Sequence, residues 1–333
     1  MSTILLPIQQ AITRYIFPIV VAVGNCGNLI IIIVFSQRGR RTNPCSLYLL
    51  FGAIANIVNV NIAIIPLINA LLNPPDPFTQ SLALCRVRGY LIHISNHYFR
   101  TLVVLACIDR YAMTSMRISI RNWSSLKVAR RAIPLAFISW LLIASHILVF
   151  EDIQNGRCFV FGLYGTVFSF YNIIINILPG CFMLVTGFLT MRNIHRSRMR
   201  INPTEQITNT GRLVNKKELD LLKIVVAEVC VYLTLTTLYP ITLIYSSFTS
   251  NVVKNADRVR IESFINFIGQ SCLLYFTSSS NFFIYTATSK SFRHDMKKLL
   301  FRLKRRITVR PTIIANSIME LAVLRPQRTT THT

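Results

Sequence analysis

Asp109-Arg110-Tyr111 sets a carboxylate, a guanidinium and a phenol side by side at the end of an apolar run. A guanidinium so placed can hold one carboxylate, release it, and take backbone carbonyls or another acid instead, because its planar fork fits such acceptors in pairs. Asp220, at the start of a later apolar block, is a candidate for that other acid; the alternative is a solvated interface charge. Arg100 and Glu228 are the two other charges well inside apolar blocks, where an unpaired charge is costly and a partner is expected. They are expected to pair with each other or to share waters with Asn28, Asn56 and Asn281. The alternative is that Arg100 binds carbonyls exposed at a Pro179 kink, with Glu228 in its neutral form. His93, His97 and His146 are scattered along the chain, and no His or Cys cluster has metal-ligand spacing. Neither a metal, a cofactor nor an enzymatic activity is expected.

The elements that must position these residues are apolar blocks. The 333 residues are 52% hydrophobic and only 14% charged, against about a quarter charged in soluble domains. The apolar residues fall into runs of about 20 or more, the length that crosses a hydrocarbon core of roughly 30 Å. Continuous rather than alternating runs select helices over a barrel. Seven spans are expected, near 15–35, 46–72, 84–111, 132–150, 162–191, 219–245 and 262–286. The fold class is an all-α membrane protein, a seven-helix bundle over 15–286 preceded by an outer segment at 1–14. Residues 289–303 carry Phe292, Met296, Leu299 and Leu300 opposite Arg293, Lys297, Lys298 and Arg302, an amphipathic helix for a membrane surface. The tail, 304–333, reads as disordered.

The formal charge of +24 would suggest a nucleic-acid partner on a soluble chain. Its placement argues otherwise, since 28 of the 36 Lys and Arg fall in segments sharing one side of those spans. That bias places the amino terminus outside, the carboxyl terminus inside, and the basic runs against anionic lipid head groups.

Cys85 precedes Arg110 by twenty-five residues, about 37 Å of helix, so one helix spans the membrane from Cys85 near its outer end to the inner Asp-Arg-Tyr. Gly27-Asn28, Ser46-Leu47-Tyr48-Leu49-Leu50, Trp140, Pro179, Pro240 and Asn281-Phe282-Phe283-Ile284-Tyr285 fall in order along the other blocks. This constellation resembles the class A, rhodopsin-like G-protein-coupled receptors along most of the chain. The resemblance implies a disulfide between Cys85 and Cys158 of the second outer loop, and a G-protein switch of Asp109, Arg110 and Tyr111 with Asp220. It also implies an activation relay through Asn28, Asn56, Pro179, Pro240, Asn281 and Tyr285, with outward movement of the sixth helix as the active step. The departures are Asn56 and Phe282, where the family usually has Asp and Pro, Leu238 in place of a Trp, and Gly187 in place of a Tyr.

Ile92, Leu238 and Tyr275 are the pocket candidates. Ile92 lacks the acid an amine ligand needs, and Tyr275 lacks the amine that retinal needs. A mixed rim of Arg86, Arg88, Arg157, Lys254, Arg258 and Arg260 against Asp76, Glu151, Asp152, Asp257 and Glu262 suits a short peptide, as in neuropeptide receptors. The implied partners are that extracellular ligand, a heterotrimeric G protein and membrane lipid, at the plasma membrane. The alternative from another class is a multi-pass transporter or channel with Arg100 and Glu228 on its path.

Overall fold

The computed structural model describes residues 2–73, 76–154, 156–199, 216–249 and 252–302. Seven long helices form one unit up to Ser289. The first runs as Ser2–Ala11, a π turn at Ile12–Ile16, and Phe17–Phe35. It therefore passes through the segment 1–14 that the sequence leaves outside the spans, because Ile4, Leu5, Leu6 and Ile8 continue the apolar run. The second is Pro44–Leu72 and the third Leu82–Thr114. The fourth is Leu126–Ile143 continued by Ser145–Phe150, and the fifth Gly162–Met199. The sixth is Lys216–Thr236 continued by Leu238–Phe248. The seventh is Ala256–Asn266, a π turn at Phe267–Leu273, and Leu274–Thr288.

Six of these are long and apolar enough to cross a membrane by length and composition alone, among the described residues. The seventh is diluted by Ser278, Ser279, Ser280 and Asn281. A further helix covers 290–302, as expected for 289–303, and the expected disordered tail at 304–333 lies outside the described residues.

The third helix is the central post, packed against the second, fourth, fifth and sixth. The first packs on the second and seventh, and the sixth on the fifth and seventh, which closes the ring. In lipid this association relies on close packing rather than on hydrophobic burial, so small residues matter. A Cβ added at Gly24 would lie 2.5 Å from Ser279 Oγ, and one at Gly27 would lie 2.7 Å from Phe282 Cβ. These two glycines set how near the seventh helix comes to the first. The approach is sealed by the Ser279 hydroxyl donating to the Val20 carbonyl at 3.2 Å.

Between the fourth and fifth helices an antiparallel hairpin, β1 (Glu151–Gln154) and β2 (Arg157–Val160), turns at Gly156, whose φ of 69° suits a residue without Cβ. Cys158 on β2 forms a disulfide with Cys85 in the first turn of the third helix. The pairing expected from the resemblance is thus present, and it ties the hairpin to the central post.

Candidate functional site: the charged end of the third helix

Arg110 is the centre of the site, with a side chain only 2% exposed. Its Nε and Nη2 donate to Asp109 Oδ2 at 3.1 and 2.5 Å, and its Nη1 donates to Glu218 in the first turn of the sixth helix. Nη2 also reaches Asn43 Oδ1 at 3.4 Å. Asn43 is the N-cap of the second helix, accepting from the Ser46 amide at 3.3 Å, and its amide donates to Glu218 Oε1 at 2.7 Å. Asp109 accepts in addition from the Ser124 hydroxyl at 2.8 Å. One guanidinium therefore joins an acid on its own helix, an acid on the sixth helix and the cap of the second. Among the described residues, no hydrogen bond joins the Tyr111 side chain to this network.

Asp220, the expected second acid, is not the one Arg110 holds. It faces Lys223 at 3.6 Å, while Glu218 takes the place on Arg110. Residues two apart on a helix point about 200° away from each other, so only one of the two acids can face the third helix. Asn43 was invisible as a site residue, although Asn followed by Pro44 is a signature of a helix start.

Arg100 and Glu228 do not pair. Arg100, 2% exposed, donates to the Asn176 side-chain carbonyl on the fifth helix and lies over the Tyr232 ring, 5.7 Å from its centroid. Glu228, equally buried, accepts from the Tyr285 hydroxyl at 3.2 and 3.3 Å. Arg100 and Glu228 each lie ten positions from Arg110 and Glu218 respectively, toward the disulfide end, so their heights match. Ten residues, however, rotate a side chain by about 280°, which turns Arg100 toward the fifth helix and Glu228 toward the seventh.

Among the relay residues, Asn28 donates to the carbonyls of Gly24 at 2.8 Å and Ser278 at 3.0 Å. Asn56 and Asn281 are buried with neither amide atom partnered by protein among the described residues. Buried amides of this kind are ordinarily bridged by ordered water. Pro240 follows the break at Thr237, between the two segments of the sixth helix.

At the disulfide end, Ile92 packs on the apolar cluster that contains Tyr275, and Leu238 lies against Gly269. The three histidines, scattered in the sequence, are together in space. His93 lies 4.3 Å from His97 and 6.2 Å from His146 between ring centroids. Hydrogen bonds join His93 Nε2 to the Tyr171 hydroxyl at 2.9 Å and His146 Nδ1 to that of Tyr164 at 2.5 Å. Trp140 stacks on His97 and donates to Thr101 at 2.8 Å. Only the four-residue spacing of His93 and His97 in one helix hinted at this cluster.

Part of the rim is self-paired: Glu262 meets Lys254 at 2.6 Å and Arg258 at 2.9 Å. The Arg157 side chain lies outside the described residues. Glu151 sits over Gly89, where an added Cβ would be 2.1 Å from its Oε2, and that oxygen has no partner among the described residues. Burial raises its pKa to about 7, only partly offset by Arg88 and Arg86. A carboxyl raised in the folded state contributes stability that is full below its unfolded pKa and lost as pH rises through the folded one. Thermal stability should therefore fall between about pH 5 and about pH 8. The Glu151→Gln variant should show a flatter profile in the same melting series, and an unchanged slope would remove Glu151 as its source.

The profile of the 7 transmembrane receptor (rhodopsin family) matches residues 27–285, whereas no curated protein matches the chain. The matched stretch holds the disulfide, the Arg110 network and the relay residues, and it covers most of the 333 residues. The chain thus belongs to the rhodopsin family of seven-transmembrane receptors.

Proposed function

We propose that this receptor responds to an extracellular peptide by activating heterotrimeric G proteins, with its amino terminus outside the plasma membrane and its Arg110 end in the cytoplasm. The observation that carries this reading is the divided loyalty of Arg110. Outward movement of the sixth helix would break the Arg110–Glu218 and Asn43–Glu218 contacts at once. It would leave Asp109 bonded to Arg110 and Ser124. A guanidinium still held in place would then face the cytoplasm with donors to offer. Pro240, just beyond the break at Thr237, supplies the hinge, because a proline removes a ladder hydrogen bond.

The mixed rim supports a peptide rather than an amine or retinal. The transporter alternative is disfavoured because Arg100 and Glu228 are each 2% exposed and satisfied by different helices, unlike groups that line an ion path.

The test is a calcium and cyclic-nucleotide screen of a neuropeptide library on cells expressing the chain. It is coupled to spin-label distances between Ile118 and Lys223, both exposed at the Arg110 end. An active peptide should lengthen that distance. Signalling without any change in it would refute the sixth-helix mechanism, and a library without an active peptide would refute the ligand class.

A further inference from the structure

The fifth and sixth helices part from each other near Arg110, and the gap has a cause in the sequence. A Cβ built on Gly187 would meet nothing within 4 Å. The space is a cavity of about 250 Å³ walled by Cys107 and Arg110 of the third helix, Met183 of the fifth, and Val225, Val226 and Val229 of the sixth. Apart from Arg110 and Thr190 its walls are apolar. Its mouth faces lipid, since Leu184, Phe188 and Met191 beside it are 55%, 68% and 57% exposed on a membrane-spanning helix. A second hollow of about 450 Å³ adjoins it through Met191, Leu222 and Val226, and carries His195 and Lys223 on its wall.

We propose that this double cleft binds one anionic phospholipid from the adjoining leaflet, with an acyl chain in the Gly187 cavity and the phosphate at Lys223 and His195. The cavity exceeds the apolar void of about 150 Å³ that admits benzene, so the end of a hydrocarbon chain fits. A chain enters from hydrocarbon without crossing water, which a soluble ligand could not do. The polar half follows from charge. Lys223 is 59% exposed on its side chain, and its contact with Asp220 is long at 3.6 Å, so its ammonium has donors left to offer. Arg192 and Arg196, both exposed, add positive charge at the same end of the fifth helix. A zwitterionic headgroup cancels its phosphate with a cation of its own, whereas an anionic one keeps a net negative charge for these residues. Because the sixth helix supplies one wall, the lipid binds the arrangement in which Glu218 holds Arg110, and favours that arrangement over an outward one.

The test uses purified full-length receptor in detergent, with phosphatidylserine or phosphatidylcholine of identical acyl chains, and counts retained lipid by native mass spectrometry. Wild type should keep one phosphatidylserine with about tenfold preference over phosphatidylcholine. Gly187→Leu, which fills the cavity, should lose retention of both lipids about tenfold, and Lys223→Gln should lose only the preference. Gly187→Leu should melt at or above the wild-type temperature without lipid, since it fills a void. If that variant does not fold, wild-type receptor decides alone: phosphatidylserine with a diazirine at its acyl terminus should label 183–191 and 222–230. Equal retention by the Gly187→Leu variant, equal retention of the two lipids by wild type, or label spread evenly over the lipid-facing helices would overturn the proposal.

Discussion

Glu218→Gln should raise signalling in the absence of any ligand about tenfold, and Arg110→Ala placed on top of it should silence the receptor. The first substitution removes the charge of an acid that accepts from both Arg110 and Asn43. Hydrogen bonds to charged groups contribute about 1.5–3 kcal/mol. The Glu218 side chain is 25% exposed, so the lower part of that range applies. About 1.4 kcal/mol lost from the closed arrangement is a tenfold gain in the open one. The second substitution removes the group that the open state presents. Asp220→Asn should change little, because that acid does not hold Arg110. Nucleotide exchange in membranes, normalised to receptor number, measures all four proteins. If Asp220→Asn raises basal exchange and Glu218→Gln does not, the lock described here is misassigned.

The largest stability effect is expected at Asn176 rather than at a charge. Asn176→Leu removes the side-chain acceptor that the buried Arg100 guanidinium has among the described residues, leaving it over the Tyr232 ring. Stranding a buried charge costs about 3–5 kcal/mol in soluble proteins, against about 2 kcal/mol from a desolvated ring. Adding Arg100→Leu should restore much of the loss, since two apolar side chains carry no unpaired charge into the bilayer. Arg100→Leu with Glu228→Leu should instead be additive in melting temperature, because the two residues use different partners on different helices. A strong coupling in that last cycle, with none between Arg100 and Asn176, would contradict the contacts seen.

The seven helices were legible because hydrocarbon demands long apolar runs, and those runs survive in the sequence wherever the chain meets lipid. The Cys85–Cys158 anchor and the Asp109–Arg110 pair were legible through the family resemblance, carried by Cys85 and Asp109-Arg110 at fixed positions of one helix. What failed was phase. Height along a helix can be counted in residues, but which way a side chain points depends on how its neighbours are rotated. Glu218 and Asp220 differ by less than a turn in height and by most of a half circle in direction. Arg100 and Glu228 share a level and face apart. Asn43 meets Arg110, and His146 meets His93, only through the packing of separate helices, which no local pattern records.

The π turn at Phe267–Leu273 stores one more residue than an α-helical path of the same height would hold. Upstream of it the seventh helix carries Glu262, bonded to Lys254 and Arg258; downstream it carries Ser279 and Asn281 against the first helix and the buried interior. A single-residue deletion inside the turn could be absorbed by tightening it to an α ladder, leaving both ends in place. A straight helix offers no such slack, and the same deletion there would swing everything below it by about 100°. The seventh helix is therefore a place where chain length itself can drift between descendants of this receptor without disturbing either of its faces.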